Sequence, residues 1–138
     1  PFSKNSFDVV TCAGSLSYGN NDLVMKEVFR VLKSGGIFIC VDSLNENPIY
    51  KFNRWLNYKR GRRSLGTLIN MPTMRLIEKY NTNFESMSIN FFGALVWIYP
   101  FLKVFIGESN ATKIINKFDV FNKTSRSAFK FVMVVRKS

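Results

Sequence analysis

The stretch that decides the fold begins Phe7-Asp8-Val9-Val10-Thr11-Cys12-Ala13-Gly14-Ser15-Leu16. It passes through Asn21-Asp22 to Leu32-Lys33-Ser34-Gly35-Gly36 and ends Ile37-Phe38-Ile39-Cys40-Val41-Asp42. Residues 7–13 are a short, mostly apolar run rich in β-branched side chains that stops at a glycine, the pattern of a buried strand followed by a loop. Leu23, Val24, Val28, Phe29, Val31 and Leu32 then recur at helical spacing, with Lys26, Glu27, Arg30 and Lys33 between them. Asn21 or Asp22 is expected to cap this helix by accepting backbone N–H bonds. Ser34-Gly35-Gly36 is expected to stop it, since glycine accepts the left-handed conformation. Residues 37–42 form a second apolar strand. Together these make a βαβ crossover unit, and the lack of alternation in either strand predicts a parallel sheet covered by helices on both faces.

Beyond this unit, Pro48 suits the first turn of a helix, with Ile49, Phe52, Trp55, Leu56 and Tyr58 as its apolar stripe and Gly61 at its end. Residues 62–72 read as a loop, and Thr73 as the cap of a short helix through Tyr80. Residues 84–92 show partial alternation and read as a strand. The run 93–106 is strongly apolar, 108–121 is a weaker helical pattern, and 128–135 is a final strand closed by Arg136 and Lys137. The apolar stretch Phe91–Ile106 contains Pro100 and Lys103 and falls short of the about 20 apolar residues that span a bilayer. It reads as a core or cap helix, with contact to a membrane surface through Trp97, Tyr99 and Phe101 as the alternative.

The 138 residues carry 46% hydrophobic and 21% charged side chains, which is globular composition and excludes a disordered tail. The net charge of +11 attracts phosphates, anionic lipids or acidic sugars, unless an acidic region elsewhere in the protein offsets it. Cys12 and Cys40 each sit in an apolar run and read as reduced core thiols of a cytoplasmic protein. The absence of histidine excludes a histidine base or histidine metal ligand within these residues, and no metal is expected.

Two segments resemble class I S-adenosylmethionine-dependent methyltransferases. Pro1-Phe2-Ser3-Lys4-Asn5-Ser6-Phe7-Asp8-Val9-Val10 is similar to the family's LPF-x-(D/N)-x-SFD-V-V segment. Glu27-Val28-Phe29-Arg30-Val31-Leu32-Lys33-Ser34-Gly35-Gly36 is similar to its E-x-x-R-V-L-K-P-G-G, with Ser34 in place of proline. The similarity is to the group that includes ubiquinone and menaquinone methyltransferases. It implies an α/β fold with an incomplete Rossmann-like sheet: strands four to seven with helices, the last strand antiparallel and lying between the fifth and sixth. It also implies that residues 1–138 are the carboxyl-terminal part of a single methyltransferase domain, with a substrate cap over 45–82. The family's glycine-rich turn and ribose-binding acid would then precede Pro1.

The same resemblance assigns the cofactor, S-adenosyl-L-methionine, to a wall of Cys12, Ala13, Gly14 and Leu16, with Phe2 near the adenine. A ligand beyond the carboxyl ends of the strands is the rule for open parallel sheets. Family members often carry a histidine just after this leucine, and here Ser17 and Tyr18 follow instead. Asp42, at the end of the second strand, is the better placed candidate base, with a loop cap as its other role, and Glu46 is the second candidate. Tyr18, Arg54, Tyr58, Arg62 and Arg63 are the candidate substrate contacts, since guanidinium pairs recognise phosphate or carboxylate. The expected reaction is methyl transfer to a small-molecule or glycan acceptor, of an anionic kind such as a cell-surface polysaccharide or nucleotide sugar. The alternatives are a quinone or lipid methyltransferase peripheral at the membrane, an inactive remnant, and a basic nucleic-acid-binding module. Against nucleic acid as a partner, Arg60, Arg62 and Arg63 lack an accompanying recognition helix or aromatic platform. The 138 residues alone are expected to bind the cofactor very weakly or not at all.

Overall fold

The computed structural model describes residues 2–81, 84–121 and 124–138; Pro1 of the opening motif and residue 82, the last of the expected cap, lie outside the described residues. Four strands form one sheet: β1 (Phe7–Ala13), β2 (Leu32–Ser43), β3 (Ser86–Phe92) and β4 (Lys130–Arg136). Their order is β1-β2-β4-β3. β1 and β2 are parallel, and β4 runs antiparallel to both β2 and β3. The last strand therefore lies between the fifth-strand and sixth-strand equivalents, as the resemblance implies. The helices are α1 (Asn21–Val31), α2 (Pro48–Lys59), α3 (Leu65–Ile69), α4 (Met74–Asn81), α5 (Tyr99–Ile106) and α6 (Glu108–Phe121).

Among the described residues the sheet's core packing lies on one face. Phe38 and Cys40 of β2 align with Val135 and Met133 of β4, and all four are fully or almost fully buried. Met25 and Val28 of α1 and Ile77 and Tyr80 of α4 join them in one core. The opposite face is more open. Val9 is 50% exposed and Val41 and Val134 are also exposed. Among the described residues β1 stands at one end of the strand order, with β2 as its neighbour. Cys40 is a buried core thiol, whereas Cys12 on the edge strand is only half-buried; both are free.

The crossover differs in detail from its expected boundaries. Asn20, not Asn21 or Asp22, caps α1, its side-chain oxygen accepting from the amides of Asp22 (3.0 Å) and Leu23 (3.2 Å). The helix ends at Val31, before the glycines, and Leu32 already has extended backbone. Ser34-Gly35-Gly36 instead forms an irregularity in β2: Phe7 pairs with Leu32, but Val9 pairs with Ile37. Gly35 has φ 74°, and a Cβ on Gly36 would lie 2.8 Å from the Lys33 carbonyl oxygen. Both positions thus need glycine, for the bulge and not for a helix stop.

Three further expectations change. Residues 62–72 include the short helix α3. The apolar stripe of α2 faces outward: Ile49, Phe52 and Trp55 are exposed, while Tyr50 and Arg54 are buried. Finally, 93–106 is not a core helix, because α5 has no buried residue.

Candidate active-site edge

β1 and β2 end together, and the chain beyond β1 is held in place by bonds to the end of β2. The amide of Gly14 donates to the carbonyl of Val41 at 2.8 Å. The amide of Leu16 donates to Asp42 Oδ2 at 2.9 Å, and Ser43 N–H donates to the other oxygen, Oδ1, at 2.6 Å. Asp42 is buried, so each oxygen offsets its desolvation with a charge-assisted bond. Leu16 and Ser17 are buried beneath the loop, whereas Ala13, Gly14 and Ser15 are exposed at its tip. Cys12 Sγ and Ser15 Oγ lie 3.0 Å apart and brace the tip. Gly14 has φ 65°, and no atom lies within 4 Å of the position a Cβ would take. The backbone there is open to a ligand's close approach. Such a wall fits the amino-acid end of an adenosyl cofactor, which backbone groups and small side chains can line.

The second acid engages differently. Glu46 Oε1 accepts from the amide of Met74 at 2.9 Å, fastening α4, and Oε2 lies 3.9 Å from Lys51 Nζ. Both candidate bases therefore hold backbone in place.

Arg54 comes from α2, which starts at Pro48 behind an Asn47 cap. Its side chain turns inward and is 5% exposed. Nη1 donates to the carbonyl of Leu44 (2.8 Å) and to Asn45 Oδ1 (3.1 Å), while Nη2 is buried without a partner. The guanidinium carbon lies 5.4 Å from the Phe129 ring centroid and 6.0 Å from that of Tyr50. Burial, with the charge of Arg63 added, pushes its pKa down to about 10, so it stays cationic at neutral pH. Arg63 is half-buried and contacts Met71 Sδ at 3.7 Å. Arg54 and Arg63 are thus near enough for the charge of one to lower the pKa of the other. Tyr58 is half-buried, while Arg62 and Tyr18 are exposed, Tyr18 at 77%.

Phe2 is not brought to this edge. It packs edge-on against Phe7 at 5.0 Å, at the amino end of β1. The seven residues of β1, roughly 20 Å of strand, separate it from Gly14. Asn45 and Tyr50 are the residues that sequence reasoning missed. Asn45 carried no motif, and Tyr50 lies off the stripe that the apolar spacing picks out.

A model of the methyltransferase domain family matches residues 1–40, a span that includes β1, the pinned loop and α1. The chain is 49% identical over 53 residues to the demethylmenaquinone methyltransferase of Lactococcus lactis, covering 37% of this chain and 21% of that protein. It is 47% identical over 55 residues to a sterol 4-C-methyltransferase of Caenorhabditis elegans, covering 39% and 16% respectively. The fold as a whole is similar to phosphoethanolamine N-methyltransferase 2 of Haemonchus contortus, with a TM-score of 0.57 at 13% identity over 100% of this chain. That likeness shows a methyltransferase-type α/β fold, and the chain spans 35% of the larger protein.

Proposed function

We propose that this chain forms the methionine-side and acceptor-side walls of an S-adenosylmethionine-dependent methyltransferase acting on a small-molecule or glycan acceptor that bears an anionic group. The Leu16–Asp42 bond carries this reading. It fixes the loop of the family-matched segment at the carboxyl edge of a parallel strand pair, where open α/β sheets take their ligands. S-adenosylmethionine, when bound, supplies a methyl group already activated on a cationic sulfur. The residues of this chain then have alignment and exclusion of water as their tasks. Cys12, Ala13, Gly14 and Leu16 form the wall, and Asp42 is a positioning residue whose two oxygens hold that wall still. Residues 45–82 serve as the acceptor cap. Arg54 and Arg63 supply positive charge to an acceptor phosphate or carboxylate, with Tyr18, Tyr58 and Arg62 as further contacts.

A second reading, a quinone or lipid acceptor met by a cytoplasmic enzyme at the membrane surface, is favoured by the exposed aromatic helices α5 and α6. The demethylmenaquinone and sterol methyltransferase likenesses also support it.

Ultraviolet cross-linking with tritiated S-adenosylmethionine, followed by peptide mapping, tests the proposal. Label is expected between Cys12 and Tyr18. Label confined to other segments contradicts it.

A further inference from the structure

The geometry points to the α5–α6 hairpin as a docking surface for an anionic lipid bilayer. On α5, Val104 and Phe105 are 80% and 83% exposed, and Phe101 is exposed beside them. On α6, Phe118 and Phe121 are exposed and line a shallow apolar groove with Ile114 and Lys117. Large apolar side chains held in water at this density mark an interaction surface. Among the described residues no helix is long and apolar enough to cross a membrane, so the hairpin lies on a bilayer and does not span it.

Charge selects the occupant. The hairpin's two acids are used internally. Glu108 pairs with Lys103 at 2.7 Å, and Asp119 accepts the amides of Gly93 (2.9 Å) and Ala94 (3.1 Å). Lys113 and Lys117 remain exposed on α6, in a chain of net charge +11. A second copy would set these lysines and that net charge against their own kind. Anionic headgroups complement them, with the lysine stems reaching out to the headgroup layer. Trp97 and Tyr99 stand at the hairpin's base, where interfacial aromatics sit.

Topology adds a second argument. The hairpin joins β3 to β4, three strand spacings from β1, or about 14 Å. A strand added at the β1 edge would lie farther away still. β3 runs parallel to β1, so the hairpin leaves the same carboxyl edge that carries Gly14 and Leu16. Its root is tied to α2: Tyr50 donates its hydroxyl hydrogen to the Gly93 carbonyl at 2.7 Å and accepts from the Trp97 amide at 3.2 Å. Docking would therefore turn the Arg54 edge toward the lipid headgroups. The surface is independent of the methyl-transfer reading and is tested apart from it.

The test is co-sedimentation of the 138-residue chain with vesicles of phosphatidylcholine, alone or mixed with phosphatidylglycerol. Binding at least about tenfold tighter to the anionic vesicles is expected. Val104→Glu with Phe105→Glu should weaken it by about tenfold or more, and Lys113→Glu with Lys117→Glu should abolish the anionic preference. In a Trp55→Phe background, brominated lipid should quench Trp97, a readout that needs no change in the hairpin. Equal sedimentation of the parent and the Val104/Phe105 variant, or unquenched Trp97, would overturn the proposal. So would a vesicle-free dimer, seen by sedimentation equilibrium, that Phe105→Glu dissociates, because it would assign the face to a second copy.

Discussion

The amide of Leu16 and the buried carboxylate of Asp42 meet at 2.9 Å, joining the loop after β1 to the end of β2. With the Ser43 amide on its other oxygen, Asp42 fixes the exposed Gly14 tip without touching it. Asp42→Ala should cost about 2–3 kcal/mol, because one buried and one half-buried amide lose a carboxylate acceptor. Asp42→Asn keeps an acceptor for one amide and should cost roughly half as much. Urea unfolding measures both. Amide exchange should accelerate selectively over Gly14–Tyr18 in Asp42→Ala, and unchanged exchange there would show that the loop is held by something else.

Arg54 is buried without an acid bonded to it, and its Nη2 has no partner. Arg54→Met retains the stem's packing and removes a desolvated charge. It should change stability by no more than about 1 kcal/mol, since apolar replacement of buried charge is often neutral or favourable. Phosphate or carboxylate ligands detected by chemical shift at Asn45 and Leu44 should lose their effect in this variant. A loss of more than about 3 kcal/mol would instead make the bonds to Leu44 and Asn45 the reason for the arginine.

Lys137 looks in sequence like the polar end of a strand. Its ammonium group is largely buried and donates to the carbonyls of Leu32 (2.6 Å) and Phe29 (2.7 Å) and to Asn5 Oδ1 (3.0 Å), 4.6 Å from the Phe29 ring centroid. It thus satisfies carbonyls at the carboxyl end of α1, where a cation is also favoured by the helix dipole. Lys137→Met should cost about 2–4 kcal/mol. Arg136→Met, at an exposed residue with one bond to the Gly35 carbonyl, should cost less than about 1 kcal/mol. Thermal or urea unfolding of the pair checks the contrast, and equal costs would refute it.

Asp22 ties α1 to α4, accepting from Lys79 and from the Tyr80 hydroxyl, each at 2.8 Å. Lys79, and then Tyr80, hold its pKa below the usual aspartate value. The unfolded chain binds this proton more readily than the folded one. Its stabilising contribution is therefore present above the unfolded pKa of about 3.9 and is lost as pH falls through the lower folded value. The Asp22 carboxyl signal should titrate below 3.9, and Asp22→Asn should shallow the acid limb of the stability profile. A midpoint at or above the ordinary value would contradict the pairing.

The sequence was most legible where local and global signals agreed. The βαβ unit follows from the spacing of apolar runs, and the antiparallel direction of the last strand is what the resemblance carried by two short motifs implies. The pinned loop was half legible: Asp42 stood out by position, but its bonds to Leu16 and Ser43 depend on the register of two strands. Sequence reasoning failed where side chains act against type. Arg54 points in while Phe52 and Trp55 point out, because α2 buries the face of Tyr50 and Arg54 against Phe129 and Leu44 and leaves its apolar spacing in water. The same inversion hid the exposure of α5, whose composition matches a core helix. Phe2 packs against Phe7 at the amino end of β1, a placement that depends on how the strand runs and not on the motif alone.

The central claim is that the loop held by Asp42 is one wall of an adenosyl-ligand site. Its most direct test is an NMR titration of the chain with S-adenosylhomocysteine, which sees binding too weak for calorimetry. The account predicts saturable shifts confined to the amides of Cys12, Ala13, Gly14 and Leu16, and their disappearance in Asp42→Ala. Saturable shifts elsewhere with these four unmoved, or shifts that survive intact in Asp42→Ala, would contradict it.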